Sequence, residues 1–184
     1  PDDVQNIPHP IIGYMGTINS TRLDGELLYQ IISQRPDYSF VFTGPEDDIF
    51  RRDRIHSLKN AYFTGQKKVD ELPAYIAAYD VCINPQMVNK ITNGNYPLKI
   101  DEYLAMGKPT VATSTHTMRN IFTGHTHLAI NPEEWLAAID RAVTEADDKE
   151  LAKQRIAFAE THSWGHSVKK IYEIIDSFLK KKTT

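Results

Sequence analysis

The stretch NGNYPLKIDEYLAMGKPTVAT, residues 93–113, decides the fold, because it reads as a turn, a helix and a buried strand in succession. Asn93, Gly94 and Asn95 are turn formers, and Pro97 suits the first helical position, where a missing N–H costs nothing. Gly107 can end the helix in a left-handed conformation, and Pro109 blocks its continuation before the β-branched run TVAT. A helix that opens after such a loop aims the free N–H groups of Leu98 and Lys99 at whatever lies in front of it. The stretch is suited to seat a phosphate.

Ahead of this stretch, VCINP at 81–85 is an unalternated apolar strand preceded by a helix that begins at about Asp70. YSFVFTG at 38–44 and NAYFTG at 60–65 are further strands, with room for a short surface helix between them. Ile11, Ile12 and Tyr14 open a strand ending in Gly16, and Leu23, Leu27, Leu28, Ile31 and Ile32 then share a helical face until Pro36 ends it. Downstream come a weaker strand at 128–130, a helix capped by Asn131 with Pro132 behind it, and helices at 149–160 and 167–180. Unalternated strands separated by amphipathic helices predict an α/β fold, a Rossmann-like parallel sheet with helices on both faces. Residues 1–184 form a single domain on this reading. In such folds ligands sit beyond the carboxyl ends of the strands, which singles out the loops after Gly16, after Gly65 and at 86–96.

Composition narrows the function classes. With 41% hydrophobic and 24% charged residues and a net charge of −3, the chain has no basic field of the kind nucleic acid requires. The single cysteine, Cys82, lies in an apolar run and reads as a small buried hydrophobe, which fits a reducing, cytoplasmic compartment. No apolar stretch is long enough to cross a bilayer, and the basic KKKTT end reads as solvated. The chain opens at Pro1, so it is expected to be part of something longer.

Lys99 and Glu102 lie three apart on the predicted helix, with Ile100, Tyr103 and Leu104 as the core-facing stripe, so both are expected to point away from the core at the ligand edge. There Lys99 would face phosphate while the Glu102 carboxylate accepts hydrogen bonds from adjacent hydroxyls such as those of a ribose. A plain surface ion pair is the competing reading. Gly16 would let a backbone approach a ligand beside Thr17 and Arg22, or would only make the turn. His162 with His166 and His125 with His127 lack a third ligand at metal spacing, Ser163 reads as a helix cap, and no metal site is expected. No nucleophile, histidine and acid arrangement stands out.

IIGYMGTI, FVFTGPED, NAYFTGQKKVDELPAYIAAYDVCINP, PLKIDEYLAMGKPTVAT and HSWGHSVKKIYEII together resemble the C-terminal, donor-binding domain of a GT-B glycosyltransferase of the group 1, family 4 type. The resemblance implies one half of a GT-B fold, whose parent protein transfers a hexosyl-type sugar from a nucleotide diphosphate sugar. It places Glu102, the second glutamate of an E-x7-E motif, on the ribose, and Gly94 where the first glutamate would contact the donor sugar. Pro97, Leu98 and Lys99 would hold the diphosphate and sugar, Gly65 and Gln66 would line the base, Gly16 and Thr17 would approach the diphosphate, and Arg22 alone stands where the family has a basic pair, as a phosphate contact or a solvated helix start. No cofactor is required, the isolated fragment is expected to be inactive, and the helix from about Ser167 would pack on an N-terminal acceptor domain. The resemblance also allows peripheral association of the parent protein with the inner face of a membrane. Two other classes remain: a non-catalytic nucleotide-sugar-binding or interaction module, and a GT-B nucleotide-sugar epimerase.

Overall fold

The computed structural model describes residues 1–182. The side chains of residues 181 and 182, and residues 183 and 184, lie outside the described residues, and with them most of the basic end read as solvated.

Six parallel strands, β1 (Ile11–Met15), β2 (Ser39–Thr43), β3 (Ala61–Gly65), β4 (Val81–Asn84), β5 (Thr110–Thr113) and β6 (His127–Ala129), lie in the order β3-β2-β1-β4-β5-β6. Because β1, β2, β4 and β5 are buried on both faces, their side chains divide between two cores. Ile12, Tyr14, Phe40, Phe42, Val81 and Ile83 meet α1 (Gly25–Ser33) and α5 (Pro132–Thr144) on one side. On the other, Ile11, Met15, Val41, Cys82 and Ala112 meet α2 (Leu72–Ala78), α3 (Leu98–Ala105) and the end of α6 (Lys149–Glu160). The predicted sheet and its two-sided cover are therefore present.

The helix following β1 covers one face and the helix following β4 covers the other, so the chain leaves neighbouring strands in opposite directions. That divergence opens a crevice above the β1–β4 junction, the place where such sheets take ligands. Pairing across the junction is short. β1 and β2 register from Ile11–Ser39 through Met15–Thr43, whereas β1 and β4 register only at Ile12–Val81 and Gly13–Cys82. Gly13 is required there, because an added Cβ would lie 2.1 Å from ring atoms of the fully buried Tyr79.

The caps follow the sequence. Asp24 accepts the Leu27 N–H at 3.0 Å at the start of α1, and Asn131 accepts the Glu134 N–H at 2.9 Å ahead of Pro132 in α5. The Ser163 hydroxyl accepts the His166 N–H at 3.3 Å, which fulfils its reading as a cap and starts α7 (Trp164–Lys182) three residues earlier than predicted. Other boundaries differ too. Pro97 is the residue before α3 rather than its first, the region between β2 and β3 holds two short 3-10 turns, Phe50–Arg52 and Arg54–Ser57, and α2 begins at Leu72. A helix absent from the sequence reading, α4 (His116–Ile121), buries only Thr117 and Met118, too little to show a period. On α7, Trp164, Ile171, Tyr172 and Ile174 are exposed by 81, 56, 64 and 60%, an apolar face turned to solvent.

Candidate functional site

Gly16, which follows β1 directly, has a φ of +134°, and a Cβ there would lie 2.6 Å from the Lys99 ammonium. A side chain at this position is thus excluded both by backbone conformation and by the lysine. Behind it, a Cβ on Gly44 would come within 2.0 Å of the Gly16 carbonyl oxygen, so two glycines let the ends of β1 and β2 close on each other.

Lys99, in the first turn of α3, reaches across to β1. Its Nζ donates to the Tyr14 hydroxyl at 2.7 Å and stands 4.0 Å from the centre of the Tyr14 ring, while that hydroxyl donates to the Thr17 carbonyl at 3.0 Å. Tyr103, one turn further on, accepts the Met15 N–H at 2.8 Å and returns its own proton to the Met15 carbonyl at 3.3 Å. α3 is therefore stitched to the end of β1 at two points. Burial holds the Lys99 ammonium down to about 8; the nearby Glu102 carboxylate raises it and the Arg22 charge lowers it. Burial likewise pushes the Tyr14 phenol up, so it stays protonated. Lys99 is thus half-buried, with its ammonium set over the Tyr14 ring while it lines a cleft.

The loop 86–96 supplies the opposite wall. Leu23 bridges to Gln86, the Arg22 carbonyl accepts the Met87 N–H at 2.8 Å, and the Asp24 N–H donates to the Pro85 carbonyl at 3.1 Å. Asn93 accepts the His116 N–H at 2.9 Å, which fixes the other end of the loop to α4. No side chain caps the start of α3. Together these segments enclose a cleft of about 560 Å3 lined by Gly16, Thr17, Arg22, Pro97, Leu98 and Lys99, with Tyr14, Asn19, Leu23, Gln86, Asn95 and Tyr96. Lys99 and Arg22 give it positive charge, and the helix start adds the partial charge of its dipole. An anionic, phosphate-bearing ligand is the complementary chemistry.

The remaining residues singled out from the sequence lie elsewhere. Glu102 is exposed and lines a neighbouring apolar recess of about 270 Å3 with Met15, Val69, Leu72, Pro73 and Ile76, reached past the end of β1. The loop after β3 enters that recess through Val69; Gly65 is open to space and Gln66 is exposed. Gly94 is exposed with nothing within 4 Å of the place its Cβ would take, while its neighbour Asn95 lines the cleft. Tyr14 and Tyr96 were missed as site residues. Tyr14 reads as one more residue of an apolar strand, and nothing local marks its hydroxyl.

His125, His127 and His162 have structural partners. His162 pairs with Asp101 at 3.0 Å, His127 with Glu145 at 3.0 Å, and His125 stacks on Phe158 with centroids 3.7 Å apart. No group of three or more His, Cys, Asp or Glu side chains able to hold a metal occurs among the described residues. No helix among them is long and apolar enough to cross a membrane. Cys82 is fully buried and its thiol is pushed up by burial.

Comparison with known proteins bears on the family and the fold. Residues 9–145 match the family described as glycosyl transferases group 1. A Bacillus subtilis protein that carries the name teichuronic acid biosynthesis glycosyltransferase TuaH is 28% identical over 160 residues, covering 84% of this chain and 40% of its own length. Among solved structures, sucrose-phosphate synthase from Thermosynechococcus elongatus superposes with a TM-score of 0.72 at 20% identity, over 94% of this chain and 46% of that one. HepE of Anabaena, solved in complex with UDP, superposes with a TM-score of 0.74 at 14% identity, over 96% of this chain and 53% of that one. The chain thus spans less than two thirds of each of these relatives. With its parallel sheet and the match over most of its length, this chain belongs to the glycosyl transferases group 1 family and has the Rossmann-like architecture of a GT-B domain.

Proposed function

We propose that this chain is the donor-binding domain of a glycosyltransferase that moves a hexosyl group from a nucleotide diphosphate sugar to an acceptor. The observation that carries the reading is the side-chain-free Gly16 facing the half-buried Lys99 ammonium, beside Arg22 and the open start of α3. Such a seat suits a diphosphate that leaves as the glycosidic bond breaks. Negative charge grows on it in the transition state, so fixed positive charge there favours reaction over binding alone. Lys99 and the helix dipole supply this charge without a metal.

On this reading the nucleoside occupies the apolar recess and Glu102 accepts hydrogen bonds from the ribose hydroxyls, while the sugar lies in the cleft beside Asn95 and Tyr96. The exposed apolar face of α7 would be covered by an N-terminal acceptor domain in a longer protein. The relative named for teichuronic acid supports a role in polysaccharide synthesis. A cytoplasmic location, with the parent protein at the inner face of a membrane, fits an acceptor of that kind.

Calorimetric titration of the chain with UDP-, GDP- and ADP-sugars tests the reading, and no binding by any of them at millimolar concentration would refute it. Glu102→Ala should weaken the nucleotide that binds by about tenfold, on the order of 1–2 kcal/mol for a lost charged hydrogen bond. Equal affinity would remove Glu102 from the ribose. A second reading, a nucleotide-sugar-binding module without chemistry, draws on Gly94, which offers no carboxylate to the donor. Sugar transfer by the full-length protein separates the two.

A further inference from the structure

Tyr96 joins the cleft to a side-chain cluster behind it. Its ring packs on Phe122 at 5.6 Å between centroids and meets His162 edge-on at 6.5 Å. The phenol donates to one oxygen of Asp101 at 2.6 Å, and the other oxygen of Asp101 lies 3.0 Å from His162 Nδ1. His162 is set edge-on to Phe158 at 4.5 Å, which ties the corner between α6 and α7 to the front of α3. Burial and the bond to Asp101 push the phenol up, so it keeps the proton it donates.

Tyr96 and Leu98 line the cleft and also line a second recess, of about 420 Å3, that includes Asp101, Ile121, His162 and Trp164. These two residues are the partition between the spaces. A partition held by a ring contact and a charged hydrogen bond on its far side rejects a ligand too large for the cleft more sharply than a free side chain would.

Resting on the reading of the cleft as a donor site, we propose that Tyr96 sets which glycosyl group the donor can carry, with Asp101 and His162 as positioning residues that hold its ring. The chemical class admitted is a hexosyl group without a bulky substituent. Removing the ring would join the recess to the cleft and admit an N-acetylated sugar.

The test is calorimetry on the chain with UDP, UDP-glucose and UDP-N-acetylglucosamine, and with the guanosine and adenosine counterparts. Tyr96→Ala should move the affinity ratio of the two sugar derivatives by about tenfold toward the N-acetylated one, a shift of the size that pocket shape commands, each affinity being read against that of the bare diphosphate for the same variant. His162→Ala and Tyr96→Phe should move the ratio the same way by about threefold, and His162→Asn, whose amide can donate from near the place of Nδ1, should restore it. The two His162 variants and Tyr96→Phe carry the test if Tyr96→Ala does not fold. An unchanged ratio with the bare diphosphate still bound would overturn the proposal, as would an equal loss for all three ligands, which is what a merely structural cluster would give. Failure of the wild type to bind any of the diphosphates would instead overturn the donor site itself, and this proposal with it.

Discussion

Replacing Lys99 with methionine should make the protein more stable and less able to hold an anion. Methionine is unbranched and apolar like the lysine stem, and it removes the ammonium, which stands over the Tyr14 ring and which burial disfavours. In the unfolded chain Lys99 holds its proton up to its ordinary value of 10.5, and in the folded chain it releases it near 8. Between those values the unfolded state carries the extra proton, so this residue's contribution to stability rises with pH through that window. Below pH 8 the buried charge costs about 3 kcal/mol relative to an uncharged equivalent. The Lys99→Met variant should therefore gain up to about 3 kcal/mol at pH 7, or roughly 6–12 °C in melting temperature for a chain of this size. Comparing wild type and variant by denaturant unfolding from pH 7 to 10.5 cancels the titration of the other groups, and the gap should close across that range. A variant less stable than wild type at pH 7, or a gap that ignores pH, would refute the argument. The same charge predicts linked proton uptake. A bound diphosphate favours the ammonium, so at pH 8 binding should take up about half a proton, readable from heats in buffers of different ionisation enthalpy.

Gly13→Ala puts a methyl into the ring of Tyr79, whose hydroxyl is tied to Thr43 at 2.6 Å, and should cost about 3 kcal/mol, seen as a lower denaturation midpoint. An unchanged midpoint would mean that β1 and the ring can part easily. Gly16→Ala should cost only about 1–3 kcal/mol of strain yet lower diphosphate affinity by more than about tenfold, since the added carbon meets the Lys99 ammonium. Asp140 accepts from Arg35 at 2.8 and 2.5 Å and from Tyr38 at 3.1 Å, and the Arg35 bond first among these holds its carboxyl below the usual range. Asp140→Asn should cost about 1 kcal/mol at neutral pH, the pair being partly exposed. That contribution is complete above the ordinary value of 3.8 and is lost as pH falls below it, so the two proteins should converge in acid.

The strands and most helices were legible because burial on both faces writes itself into sequence as continuous runs such as VCIN and FVFT. The resemblance then named the residues at the front of α3. What was not legible depends on meetings between distant segments. That Lys99 turns inward follows from Gly16, 83 positions earlier, having no side chain, and from Tyr14 offering its ring. Glu102, three residues further along the same helix, lines the recess beside Met15 and not the cleft that Lys99 lines. Tyr96 and its partner Asp101 lie within the stretch that decided the fold, yet the third member, His162, comes from the corner between α6 and α7, 66 positions after Tyr96. α4 escaped because six residues with two buried side chains carry no period.

The short register between β1 and β4 has a consequence for motion. Two half-sheets, β3-β2-β1 and β4-β5-β6, are joined by pairing at Ile12–Val81 and Gly13–Cys82, so amide hydrogens along this line should exchange sooner than those between β1 and β2. Lys99 and Tyr103 reach from the half that holds α3 to the end of β1, and the cleft straddles the same line. A ligand seated there grips both halves at once. Occupancy would slow exchange across the join more than at the sheet's outer edges, making the site a clasp across the shortest run of strand pairing in the sheet.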